Sequence, residues 1–340
     1  MSSQIEETFA APVGKYLVDS YEDWALGEGV PIYRGNNVSL NALETQPWPR
    51  FGLRGAMCHL DGRCDFLTVF VMDIDAAFSA PQKHLYEEIC YVLRGEGETE
   101  IVSGDGSQRT ITWKKGCLFS APMNAQYRHR SKGGARIVCF NDLRYLMNLY
   151  RNERFLFASP NAFPERGEGE IICGLASLPV GEALWPNERT TALSLANGSI
   201  GVDIVEIESG AYGQARRQAF GSLVLAIAGE GMSLSWTDYD EPALEVRWAQ
   251  GALVSPVSLS FHQHFNIGVE PARFLRIEFG SKDYPILRPR AFAYGEKSVY
   301  ASGAAQIPYA DEHPQIRRTW LQLVRARGVA SRMPAPQIDA

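Results

Sequence analysis

Residues 84–136 read HLYEEICYVLRGEGETEIVSGDGSQRTITWKKGCLFSAPMNAQYRHRSKGGAR, a series of short hydrophobic segments broken by Gly-rich turns. Glu88–Leu93 is a β-rich run that ends at Gly95-Glu96-Gly97, and a second run closes at Gly104-Asp105-Gly106. Strand alternation puts Gln82, His84, Tyr86 and Glu88 on one face. Further on, Gly116 opens a strand, Pro122 and Asn124 make a turn, and Tyr127 and His129 share a face of the next strand. Where the two strands neighbour each other in a barrel, His84, Glu88 and His129 converge as two imidazoles and a carboxylate. That set suits Fe(II), Mn(II) or another divalent ion with open positions.

The stretch recurs. Gly95-Glu96-Gly97 returns as Gly229-Glu230-Gly231 (229 − 95 = 134), and Trp113-Lys114-Lys115-Gly116 as Trp248-Ala249-Gln250-Gly251 (248 − 113 = 135). His129 matches His264 (264 − 129 = 135), and Ala135-Arg136 matches Ala272-Arg273 (272 − 135 = 137). Landmarks in one order at near-constant offset mark two copies of one β-rich unit.

These residues resemble the cupins. The first cupin metal motif is Gly, five residues, His-x-His, three or four residues, Glu, six residues, Gly; here Gln82-Lys83-His84, Glu88 and Gly95 occupy that frame. The second is Gly, five residues, Pro-x-Gly, two residues, His, three residues, Asn; here Gly116, Pro122, Asn124, Tyr127 and Ser131 occupy it. Two usual ligand slots therefore hold Gln82, a weak amide donor, and Tyr127, which suits a proton donor or ligand contact; His129 is positioned to supply the missing imidazole. In the second copy Arg216, Gln218 and Ser222 stand in the His, His and Glu slots, while Gly251, Val257, His262 and Asn266 keep the later frame, with His264 between. A permanent cation at Arg216 opposes a bound metal, so the second barrel is expected to be metal-free. Its histidines are either hydrogen-bonded structural groups or, with Arg216, contacts for an anionic ligand.

The resemblance implies an all-β chain of two cupin jelly-roll barrels in tandem, with linker and C-terminal helices. The expected divisions are an N-terminal arm over 1–60 wrapping the first barrel, a first cupin domain over 61–145, a linker over 146–195, a second domain over 196–285 and an extension over 286–340. Tyr21–Leu26 reads as a helical turn, Phe66–Met72 as a buried strand, and the segment 141–162 as helical. Pro314–Gly328 reads as an amphipathic helix whose apolar stripe docks on a barrel or a second subunit.

A net charge of −6 and an isoelectric point near 5.6 argue against nucleic acid or an anionic membrane as partner. No signal peptide or spanning run is visible, and a cytoplasmic location is expected. The six cysteines, Cys58, Cys64, Cys90, Cys117, Cys139 and Cys173, form no Cys-x-x-Cys pair, so they are expected to be reduced, with neither a zinc knuckle nor a disulfide framework. His59 lacks a surrounding motif and reads as structural.

Two functions are compatible with this reading. One is a metal-dependent enzyme acting on a small organic acid or phenolic substrate, foremost a non-haem Fe(II) dioxygenase; the layout is similar to gentisate-type ring-cleaving dioxygenases, and the resemblance implies a homodimer. A metal-dependent isomerase, lyase or hydrolase would use the same ligands. The other is a metal-free small-molecule binding protein, in which His84 and Glu88 hydrogen-bond each other and Arg216, His262 and His264 hold the ligand.

Overall fold

The computed structural model describes residues 19–60, 66–157, 170–181, 183–185, 187–195, 199–217, 222–237, 244–257, 260–280 and 306–333. Gln218, Cys64 and the residues before 19 lie outside them. The large sheet of the first barrel runs in the order β1 (Ile32–Gly35), β4 (Leu53–Leu60), β5 (Thr68–Ile74), β11 (Ala135–Asn141), β6 (Glu88–Arg94), β9 (Leu118–Ser120), β12 (Ile171–Ile172), with β3 (Gln46–Trp48) also on β4. It closes over a small sheet of β10 (Gln126–Arg130), β7 (Glu96–Val102) and β8 (Gln108–Lys114). The second barrel repeats the plan. Its large sheet is β13 (Ala183–Trp185), β14 (Glu188–Leu193), β15 (Ile200–Ile207), β22 (Ala272–Phe279), β17 (Leu223–Ala228), β20 (Ala252–Val254), β2 (Asn37–Ser39). Its small sheet is β19 (Leu244–Ala249), β18 (Glu230–Trp236), β21 (Phe261–Asn266), β16 (Ala215–Arg217), β23 (Gln306–Ile307).

Strand alternation sorts the apolar residues into three cores. On β6, Cys90 and Val92 enter the first barrel beside Phe70 and Ile137, whereas Ile89, Tyr91 and Leu93 face the other way. There they meet Val202, Ile204, Leu225, Leu275 and Ile277 from the large sheet of the second barrel. The two large sheets are thus apolar on both faces, which is why their strands read as unbroken hydrophobic runs. Val205, Ala226 and Phe274 fill the second barrel.

Each landmark of the sequence repeat has a mechanical cause. Gly97 lies opposite Trp113, and Gly231 opposite Trp248; a Cβ there would come within 2.3 Å and 2.2 Å of the indole. Gly95 and Gly229 have φ of 81° and 75° and sit against the backbone of Ala135 and Ala272. The arginine after each alanine does the same work in both copies. Arg136 binds Asp73 on the facing strand and donates to the carbonyls of Leu40, Asn41 and Leu43. Arg273 binds Glu206 and donates to the carbonyls of Leu175 and Leu178.

One expectation is extended and one needs correction. The N-terminal arm does not wrap the first barrel alone: β1 and β3 join β4, but β2 adds to β20 of the second barrel. Cys117 and Cys173 form a disulfide, which ties the entry to β9 to the chain just after β12. No Cys-x-x-Cys spacing announced it, because the two cysteines are 56 residues apart and meet only where β12 pairs with β9.

Four helices complete the described fold: α1 (Ser20–Gly27), α2 (Leu143–Tyr150), α3 (Glu153–Phe157) and α4 (Pro314–Arg325). α4 docks on the second barrel through fully buried Trp320 and Val324, the indole N–H donating to the Asn266 carbonyl at 2.9 Å. His59 pins α1 to β4, with Nε2 at 2.8 Å from the Tyr21 hydroxyl and Nδ1 at 3.2 Å from Glu22. No helix among the described residues is long and apolar enough to cross a membrane.

Candidate metal centre

Glu88 opens β6 on the face that enters the first barrel, and Tyr127 projects inward from β10. His84 lies on the approach to β6, outside the regular strand, where Gln82 and Tyr127 form an isolated bridge. Its side chain is fixed twice. The ring stacks on Tyr86 at 3.5 Å between centroids, and Nδ1 lies 2.9 Å from the Tyr86 carbonyl. A carbonyl only accepts, so Nδ1 carries the proton and Nε2 turns its lone pair inward.

That lone pair faces the Tyr127 hydroxyl at 2.7 Å, and the same hydroxyl lies 2.8 Å from Glu88 Oε1. Asn141 Nδ2 donates to Glu88 Oε2 at 3.3 Å. Burial holds the His84 imidazolium down to about 3 and pushes the Glu88 carboxyl up to about 7, against hydrogen bonds from Tyr127, Asn141 and Cys90 that favour its charged form. His84 is therefore neutral at pH 7. A phenol has one proton for two acceptors, and His84 in this tautomer has none to add at Nε2, so in the metal-free site the second proton belongs to Glu88, in keeping with its raised pKa. The chemistry of this donor set fits a divalent cation: a neutral imidazole in the ligating tautomer, a carboxylate, and a phenol oxygen between them.

The expected ligands do not all meet. His84 and Glu88 converge on Tyr127, but His129 is turned to Thr99, whose hydroxyl lies 2.8 Å from Nδ1 and accepts the Trp113 indole N–H at 2.9 Å. Tyr127 and His129 remain neighbours, with ring centroids 5.2 Å apart. Gln82 spends its amide N–H groups on the carbonyls of Arg50 and Ala80, both at 3.1 Å. Among the described residues, the acidic and thiol donors that gather within 4.8 Å of one another are Glu88, Cys90 and Cys139. The cysteines escaped the sequence reading, although Cys90 is two residues from Glu88 and so shares its face.

In the second barrel Ser233 stands where Thr99 stands in the first: its hydroxyl lies 2.7 Å from His264 Nδ1 and accepts the Trp248 N–H at 2.9 Å. His262 and His264 are buried and held neutral, His262 at about 3, by burial and then by the nearby cations and rings. Arg216 donates to Glu188 at 2.7 Å with both side chains buried. That carboxylate offsets the charge an anionic ligand would need.

No family model matches the sequence, and no curated protein does. Solved structures do. Oxalate decarboxylase of Bacillus subtilis, in a study of its Mn(II) centres, superposes with a TM-score of 0.50 at 16% identity, over 73% of this chain and 78% of that one. The same enzyme at pH 4.6 gives 0.50 at 15% identity, over 76% and 81%, and a deletion variant 0.50 at 15%, over 76% and 82%. The fold is that of a bicupin. Such identity speaks for architecture alone. His84, Glu88 and Tyr127, which meet here, stand at positions that the resemblance to cupin motifs singled out.

Proposed function

We propose that this bicupin is a metal-dependent enzyme acting on a small organic acid or phenolic substrate, with its centre in the first barrel. The observation that carries the reading is the His84–Tyr127–Glu88 convergence, with His84 locked in the tautomer that presents Nε2. His84 and Glu88 would hold the ion, and His129, beside Tyr127, is the further imidazole within the same interior. When bound, a divalent ion supplies Lewis acidity and, as Fe(II), oxygen activation. The chain's own part is to exclude water, to keep His84 neutral, and to present the Tyr127 hydroxyl as a proton donor between an imidazole and a carboxylate. Mn(II) and Fe(II) both suit nitrogen and oxygen donors. The finer reading is an Fe(II) dioxygenase, and the fold neighbours that contain Mn(II) keep a non-oxidative reaction as its competitor.

Elemental analysis of the purified chain beside His84→Ala and His264→Ala tests the reading. Near-stoichiometric iron or manganese that vanishes only in His84→Ala supports it, and oxygen uptake with aromatic and hydroxy acids then separates the dioxygenase from its competitor. A chain that takes up no metal on anaerobic reconstitution overturns it.

A further inference from the structure

Cys90 on β6 and Cys139 on β11 lie directly opposite each other in the antiparallel ladder, two register steps from the Glu88 and Asn141 pair. Their sulfurs are 2.8 Å apart, closer than the ordinary contact of two thiols, and both side chains are buried in the first barrel. In the second barrel the corresponding opposed pair is Val224 and Arg276, and Arg276 is bound to Asp203. The barrel frame therefore does not require sulfur at these positions.

Two chemistries suit a close thiol pair, and the separation decides between them. Two thiolates on one tetrahedral Zn(II), each about 2.3 Å from the ion, stand roughly 3.8 Å apart. The pair would have to spread by about 1 Å to take up a metal. A disulfide needs about 2.05 Å, so the sulfurs need only close by about 0.8 Å, and directly opposed strand residues lie within its Cα range.

We propose that Cys90 and Cys139 are an oxidation site, a buried dithiol that closes to a cross-strand disulfide on exposure to a small peroxide. Burial selects the oxidant: with both side chains shut off from solvent, a bulky disulfide cannot reach the pair, and a peroxide no larger than hydrogen peroxide is the class of oxidant proposed. One sulfur attacks the peroxide as its thiolate, the O–O bond breaks, and the thiol proton joins the departing hydroxide, so that a sulfenic acid and one water form. The second thiol displaces the hydroxyl of that sulfenic acid as a second water, forming the S–S bond. In sum two thiols and one peroxide give one disulfide and two waters; a dithiol reductant reverses the bond by exchange. Oxidation consumes the Cys90 S–H, which is hydrogen-bonded to Glu88, so the modification falls beside the candidate metal centre. The oxidation itself does not depend on metal binding there.

The test is peptide mapping of the full chain after hydrogen peroxide treatment, with free thiols alkylated in denaturant. The expected result is a linked peptide containing Cys90 and Cys139, two fewer alkylated thiols than before treatment, and recovery of both with dithiothreitol, while buried Cys58 stays alkylated. Cys90→Ser and Cys139→Ser should each abolish the linked peptide. Recovery of Cys90 and Cys139 as free thiols, or as separately oxidised acids, from the folded wild-type chain would overturn the proposal without reference to the metal content.

Discussion

The Tyr127 hydroxyl lies 2.7 Å from His84 Nε2, and the same oxygen reaches Glu88 Oε1 at 2.8 Å, so one phenol joins an imidazole to a carboxyl group inside the first barrel. Tyr127→Phe keeps the ring and removes that link. It leaves two buried polar groups facing a methine edge, which costs about 1–3 kcal/mol. Because the Tyr127 hydrogen bond lowers the Glu88 pKa, its loss moves that group further up. Urea denaturation of the variant should show the loss, and the Glu88 carboxyl followed by carbon NMR should titrate at higher pH than in the wild type. An unchanged titration would mean that the phenol does not engage Glu88.

Trp113 and Trp248 supply a paired test of the repeat. Each indole donates to a hydroxyl that holds a histidine, Thr99 with His129 and Ser233 with His264. Trp113→Phe and Trp248→Phe should each lower the unfolding free energy by at least about 1 kcal/mol, from the lost hydrogen bond and the thinner ring over the facing glycine. The residues sit in different barrels, so the double variant should equal the sum within about 0.5 kcal/mol. A larger deviation would show that the barrels share a network.

The architecture was legible because its landmarks are local and mechanical. A glycine under an indole and an arginine on a loop must keep their spacing, so Gly97 with Trp113 and Gly231 with Trp248 stood out by offset alone. The helices α2 and α4 were visible as apolar periodicity, α1 as a short helical turn, and strands of the large sheets as unbroken apolar runs. The site was half legible. His84, Glu88 and Tyr127 sit in ligand slots and meet, but His84 reaches Tyr127 from outside the regular strand, so strand alternation was the wrong argument for its direction. His129 neighbours Tyr127, as a shared face requires, while its Nδ1 is held by Thr99, a partner that alternation does not specify. The Cys117–Cys173 bond and the crossing of β2 to the second barrel depend on long-range pairing that leaves no local pattern.

Asp142 gives the chain a pH dependence of stability. It follows β11 at the junction between the barrels, where its carboxylate accepts the Glu87 amide at 2.9 Å and the Ser199 hydroxyl at 3.0 Å. Burial first, and the Glu87 carboxylate second, push its pKa up to about 7. The unfolded group titrates near 3.9. Between these values the folded chain binds the extra proton, so its contribution to stability is greatest below about pH 4 and is lost as pH rises toward 7. The slope for one such group is at most about 1.4 kcal/mol per pH unit. Asp142→Asn should flatten the difference in unfolding free energy between pH 4.5 and pH 7 relative to the wild type. An equal slope in both proteins would remove Asp142 as its source.

The Cys117–Cys173 bond makes a prediction about stability and another about where it persists. It joins positions 56 residues apart. Restricting the unfolded chain over such a loop is worth about 2–4 kcal/mol. Cys117→Ser should lose that amount under non-reducing conditions, and dithiothreitol should bring the wild type down to the variant while leaving the variant unchanged. Cytosolic thiol pools keep ordinary disulfides reduced, so the bond and a cytoplasmic location pull in opposite directions. Acid quenching of cells followed by differential alkylation decides the matter: a protected Cys117–Cys173 pair would place the chain in an oxidising environment or identify an unusually stable bond. Two free thiols would mean that the working protein dispenses with the tie, holding β12 against β9 by backbone pairing alone.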